Sequence, residues 1–70
     1  MTTEQLQIFA RHNGLIFLGQ GIRVKDTDTF IGSVSRVNNK ITAIAMGVYA
    51  TERQKKLLKA FCLIHGVPFS

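Results

Sequence analysis

The stretch 29-TFIGSVSRVNNKITAIAMGVY-49 decides the fold. Two runs rich in β-branched residues, TFIGSVSRV and KITAIAMGVY, flank a pair of asparagines. Asparagine tolerates positive φ, so Asn38 and Asn39 suit a two-residue hairpin loop. That loop sets a register in which Val37 pairs with Lys40, Ser33 faces Ile44 and Ile31 faces Met46. One side of the hairpin then carries Ile31, Ile44, Met46 and Val48. The other carries Gly32, Val34, Ala43, Ala45 and Gly47, a small set that would let helices lie close to the sheet. Both sides are more apolar than one-sided burial requires. A partner, a second copy of the chain or a different register would each account for this.

Working outward, 15-LIFLGQGIRVKD-26 begins as an apolar run and then alternates. Gln20, Ile22 and Val24 point one way, and Gly21, Arg23 and Lys25 the other. This reads as one strand, with Gly19 and Gly21 marking a bulge or the close approach of another backbone. The polar KDTDT segment is a turn. Helices are expected on either side. In 2-TTEQLQIFARHNG-14, Thr2 and Gln5 have capping-box spacing and Gly14 is a stop signal. Leu6, Phe9, Ala10 and Asn13 share one face of that helix. In 51-TERQKKLLKAFCLIHG-66, Thr51 and Gln54 repeat the box, Gly66 ends the helix and Pro68 follows. Leu57, Leu58, Phe61, Cys62 and Ile64 gather on its apolar face, opposite Glu52, Lys55, Lys56 and Lys59. Leu63 falls on the charged side, and Ile8 among the polar residues of the first helix. Either the tail VPFS covers Leu63, or these two serve an interaction. The expected fold is α+β: one domain over 1–70, order α-β-β-β-α, a three-stranded antiparallel meander with two helices on one face.

Seventy residues bury only roughly 60% of the unfolded surface, so stability is marginal. Cys62 is the only cysteine, which excludes an internal disulfide. One thiol and no signal-peptide pattern suit a reducing cytoplasm. No apolar segment is long enough to span a membrane. Nine Lys+Arg against four Asp+Glu give a net charge of +5. Such a balance favours acidic partners: nucleic acid (RNA or DNA), an anionic membrane surface or an acidic protein. Solubility is the plainer reading of the same charge.

Candidate chemistry is sparse. Asp26 and Asp28 stand two apart in a turn, where they cap backbone amides. General acid–base work asks for separated carboxylates with shifted pKa values. Cys62 and His65 could meet on one helix face, with His12 as a third group, but structural zinc takes four ligands. A buried thiol acting as a small hydrophobe explains Cys62 as well. The GQG stretch lacks the spacing of a phosphate-binding loop. No metal, no cofactor and no enzymatic activity is therefore expected.

The basic residues carry more. Lys55 and Lys56 stand in the first turns of a helix, where free N–H groups and the dipole already present positive charge. Lysines there oppose the dipole, as suits a phosphate-binding end, while Glu52 offsets part of the cost. Arg23, Lys25 and Arg36 on strands are expected to share a sheet face and extend the patch.

The order α-β-β-β-α with lysines at the start of the last helix resembles the double-stranded-RNA-binding domain. In that family such lysines hold phosphates across a groove. The resemblance maps the role onto Lys55, Lys56 and Lys59. The opening EQLQIFARHNGLIFLGQG also resembles the small HicA-type toxins, which cleave RNA with a histidine after the first strand. Gln20 and Gly21 stand at that place here, so cleavage is not carried over. A third similarity joins MGVYATERQKKLLKAF to the strand-to-helix step of integrase-type DNA-binding domains, where the sheet reads DNA.

Two functions follow as expectations. The first is a small cytoplasmic, non-enzymatic protein contacting nucleic-acid phosphates with Lys55, Lys56 and Lys59, assisted by Arg23, Lys25 and Arg36. The alternative is a protein-binding inhibitor or adaptor, of phage or mobile-element origin. It would act on a host protein through Ile31, Ile44, Met46 and Val48, or through Leu63 with Phe69. The same apolar face could form a homodimer.

Overall fold

A computed structural model describes residues 1–70. The elements are α1 (Thr3–His12), β1 (Leu15–Leu18), β2 (Gly21–Val24), β3 (Phe30–Val37), β4 (Lys40–Met46) and α2 (Glu52–His65). The sheet is antiparallel throughout, in the order β1-β2-β3-β4. It has four strands where three were expected, because residues 15–24 fold as a hairpin of their own. Leu18 pairs with Gly21 across a two-residue turn. Gly19 has φ +63° at its first central position, where type II′ turns require glycine. Gly21 keeps the expected close approach, though to a side chain: a Cβ there would stand 3.1 Å from the Phe30 ring.

The Asn38–Asn39 hairpin forms as read, with Val37 opposite Lys40 and Asn38 at φ +58°. Two bulges then alter the faces. Between Ser35 and Arg36 the register slips, so Val34 rather than Ser33 faces Ile44, and Gly32 rather than Ile31 faces Met46. A second slip, between Ile22 and Arg23, leaves Ile31 without a partner on β2. Each bulge inserts one residue and reverses the alternation beyond it. Ile31, Val34, Ile41 and Ile44 consequently all turn into the core. Ser33, Ser35, Ala43 and Ala45 line the opposite, open face, so the expected small set divides: Gly32 and Val34 lie on the core face, and Ala43 and Ala45 away from the helices.

Both helices start on reciprocal capping boxes. The Thr2 hydroxyl accepts from Gln5 N–H at 3.2 Å, and the Gln5 side chain accepts from Thr2 N–H at 2.8 Å. Thr51 and Gln54 repeat this at 3.1 and 2.8 Å. Gly66, at φ +65°, closes α2 by donating to the Cys62 and Leu63 carbonyls. Leu6 and Ala10 from α1, and Leu58 and Cys62 from α2, join the buried strand residues in one apolar cluster. That places both helices on one face of the sheet. Complete burial of a leucine or isoleucine stabilises by about 1.5–3 kcal/mol. The fully enclosed side chains are Leu6, Ile22, Ile31, Ile44, Leu58 and Cys62. Phe9 stacks on Phe61 at 3.9 Å and joins the helices. Ile64 departs from the expected apolar face and is 79% exposed.

The outer edge of β4 is occupied. Ile41 N–H donates to Met1 O at 2.8 Å and Thr3 N–H to Asn39 O at 3.1 Å. Farther along, Ile44 N–H donates to Pro68 O and Met46 N–H to Ser70 O, at 3.0 and 2.8 Å. The tail therefore pairs beside β4 and does not cover Leu63, which is 81% exposed. The opposite edge of the sheet is β1.

Candidate nucleic-acid interface

Two ion pairs are present, Arg23 with Asp28 and Lys55 with Glu52. Seven of the nine Lys and Arg residues thus lack a carboxylate partner. Several of them meet at one end of the molecule. The helices run antiparallel, since α1 turns back directly into β1, α2 turns back from β4, and β1 and β4 run in opposite directions. The last turn of α1 thereby comes beside the first turn of α2.

The cleft between them measures about 740 Å³ and is bordered by His12, Gly14, Thr51, Arg53, Lys56 and Leu57. Lys25 N–H donates to Gly14 O at 3.0 Å, which brings the end of β2 to the same corner. Arg53 and Lys56, three apart, lie on neighbouring positions of one helix face. The dipole of α2 adds partial positive charge at this terminus. Anions are the chemistry such a corner suits: a phosphate, sulfate or carboxylate meeting two mobile cations and an imidazole.

The predicted basic residues divide. Lys56 enters the cleft. Lys55 is half-buried, with its ammonium 3.6 Å from Glu52. Lys59 is exposed one turn later, on the flank away from α1. Arg23 and Arg36 do not share a sheet face, contrary to expectation. Arg23 pairs with Ile16 and Phe30 on the open face. Its guanidinium lies 5.5 Å from the Phe30 ring centroid and donates to the Asp28 carbonyl at 3.0 Å. Arg36 pairs with buried Ile41, lies 5.6 Å from the Phe17 centroid and reaches the Thr3 hydroxyl at 3.4 Å. The bulge opposite Ile31 reverses parity between β2 and β3, and the two arginines part. Arg53 and His12 were not singled out as binding residues. Their only signal is the approach of the Asn13–Gly14 corner to Thr51, which is tertiary.

The apolar set fares differently. Ile31 and Ile44 are core residues beneath the helices, so they form no free face. Met46 packs half-buried against the core, and Val48 stands exposed beyond β4. Phe69 bridges to Ile44 at the strand edge, and Leu63 stands on the outside of α2.

Among the titratable groups, Glu4 is held below its ordinary value because Asn39 donates to both carboxylate oxygens, at 2.9 and 3.2 Å. Burial pushes the Cys62 thiol up. The thiol is a core group, and His65 packs on Phe61 at 4.6 Å between centroids. Asp28, at φ +58°, donates its N–H to Val24 O and serves the turn. No helix is long and apolar enough to cross a membrane.

Comparison with protein-family models, with curated proteins and with solved structures finds no match to this chain. Charge and geometry carry the functional reading.

Proposed function

We propose that the protein is a small non-enzymatic binding protein of the cytoplasm that holds nucleic-acid phosphates at the junction of α1 and α2. One observation carries this reading: Arg53 and Lys56 converge with His12 on a cleft at a helix N-terminus, with no carboxylate paired to either cation. Lys25 follows Val24, which lines the cleft, but is not itself among the lining residues, and Lys59 extends the charge along the outside of α2. Lys55 is partly neutralised by Glu52 and contributes less. Arg23 and Arg36 are directed elsewhere and fall outside the patch. The resemblance to the double-stranded-RNA-binding domain supports phosphate contacts from this helix end. The separate β1–β2 hairpin is a departure from that pattern.

The test is a titration against duplex RNA, duplex DNA and single strands at low and moderate salt. Each phosphate contact contributes about 0.9 to the slope of log affinity against log salt on duplex DNA. Changing Arg53→Glu and Lys56→Glu together should weaken binding and flatten that slope by about 2. Unchanged affinity in this variant, or no binding at low salt, would leave the cations as a solubility surface.

A further inference from the structure

We infer that the open face of the sheet is the interface of a homodimer in which two copies stack sheet against sheet. Both helices pack on one face, so the other carries no covering layer. A dimer through Ile31 and Ile44 is ruled out, because both are enclosed. The strand register sets the open face out in rows. Ile16, Arg23 and Phe30 stand abreast. Leu18, Gly21, Ser33 and Ala45 form the next row, and Ser35 with Ala43 a third. An uncovered antiparallel face ordinarily presents polar and charged side chains to water. These rows hold one of the nine Lys and Arg residues and none of the four Asp and Glu. That one, Arg23, is engaged within its own copy. It donates to the Asp28 carbonyl at 3.0 Å, pairs with the Asp28 carboxylate at 3.9 Å and lies over the Phe30 ring. Lys40, at the hairpin tip, and Lys25, past the end of β2, stand outside the rows. An uncharged centre with a charged rim is how association surfaces are built.

Charge and shape select a second copy as the occupant. A net charge of +5 holds copies apart wherever cations are dense, and this face is where they can meet. Nucleic acid finds no free cation within the rows. The relief is self-complementary. Leu18 stands up from β1 and is 77% exposed, whereas β3 and β4 offer serine and alanine. Phe30 is kept low, its ring lying against Gly21 and Gly47, where a Cβ would stand 3.1 and 3.8 Å from ring carbons. A two-fold axis parallel to the strands, midway between β2 and β3, sets β1 of one copy over β4 of the other. Leu18 then falls on the partner's Ala45, bulk against small, as a self-complementary interface demands. The strands stay near alignment, as in stacked sheets. Four strands at about 4.8 Å spacing give a face of roughly 19 by 18 Å. That area belongs to the weak end of specific interfaces, so the dimer forms at high protein concentration and parts on dilution. The face is separate from the α1–α2 cleft, so the dimer stands or falls independently of nucleic-acid binding.

The test follows sedimentation equilibrium and backbone amide resonances of the whole chain from low micromolar to millimolar protein. The mass should rise toward that of two copies. Concentration-dependent shifts should gather at Leu18, Ser33, Ser35, Ala43 and Ala45 and leave the helices unmoved. Ala45→Glu places an unpaired charge in the middle of the seam and should weaken the dimer by about tenfold or more. Its side chain faces solvent in the single copy, so the melt of dilute protein should match the parent's. Ser33→Glu repeats the test from the neighbouring strand, should Ala45→Glu disturb β4. Leu63→Lys, on the outside of α2, should leave the dimer intact. A single-copy mass through millimolar protein would overturn the proposal. So would a dimer that survives both glutamates, or one that Leu63→Lys dissociates. Open-face shifts that appear only with duplex RNA or DNA, the mass of the protein remaining that of one copy, would give the face to nucleic acid and overturn it as well.

Discussion

The two helices begin with the same device and continue with opposite electrostatics. At α1, the Thr2–Gln5 box is followed by Glu4, whose charge complements the dipole and is held by Asn39. The preceding backbone is pinned to β4, so this helix start is fully engaged by the fold. At α2, the Thr51–Gln54 box is the same, but Arg53 and Lys56 follow and face an open cleft. Cations at a helix N-terminus are unfavourable by about 0.3–1 kcal/mol each. The capping box stabilises the helix by a similar amount. It allows α2 to form with a first turn that contributes little to its own stability. One helix start is committed to structure, and the other is left to a ligand.

The sharpest way to break this contrast is to remove the anchors on which both helices depend. Leu6→Ala and Leu58→Ala should each cost about 2–5 kcal/mol, and urea melts should show comparable losses because both side chains are fully enclosed. A much milder Leu58→Ala would mean that α2 is loosely docked. Next in size is Arg53→Glu with Lys56→Glu. Nucleic-acid affinity should fall by about tenfold or more while thermal stability holds or rises, since the new charges suit the dipole. A parallel loss of both would place these residues with the fold. Thr2→Ala and Thr51→Ala should then each cost about 1 kcal/mol, with Thr51→Ala also disturbing the cleft.

Smallest is the acid limb. The pKa of Glu4 in the folded chain lies below its ordinary 4.5, so its contribution is present above that value and fades as pH falls through the folded pKa. Asn39→Ala should flatten that part of the stability profile, and Glu4→Gln should remove the dependence, as read by melts between neutral and acid pH.

What the sequence disclosed follows the same division between local and tertiary causes. Both capping boxes, the Gly66 stop and the Asn38–Asn39 turn depend on residues within a few positions of one another, and all could be read directly. The Gly19 turn was legible in principle, because glycine followed by any residue suits type II′. Yet the apolar run before it and the alternation after it imitate one strand. The two bulges had no local mark. They turned the face of Ile31 and Ile44 into the core and separated Arg23 from Arg36, while the alternation of Ile22 and Val24 against Arg23 on β2 held. The lysine run at the candidate site was visible. Its division into Lys56 within the cleft and Lys55 and Lys59 outside it depends on how α2 packs against α1.

The burial of Cys62 has a practical consequence for measuring this molecule. The chain has no tryptophan, and its one tyrosine, Tyr49, is exposed, so intrinsic fluorescence reports unfolding only weakly. Cys62 is the single thiol and is wholly enclosed beneath α2. A thiol reagent can label it only when α2 lifts or the whole domain opens. Labelling kinetics therefore report how often the helix that carries the cleft leaves the sheet, with the native chain as its own probe. Burial raises the thiol pKa from 9.0, so above that pH the unfolded chain ionises first and the folded form loses stability. A labelling rate that slows when nucleic acid is added would register ligand on α2 without any added chromophore.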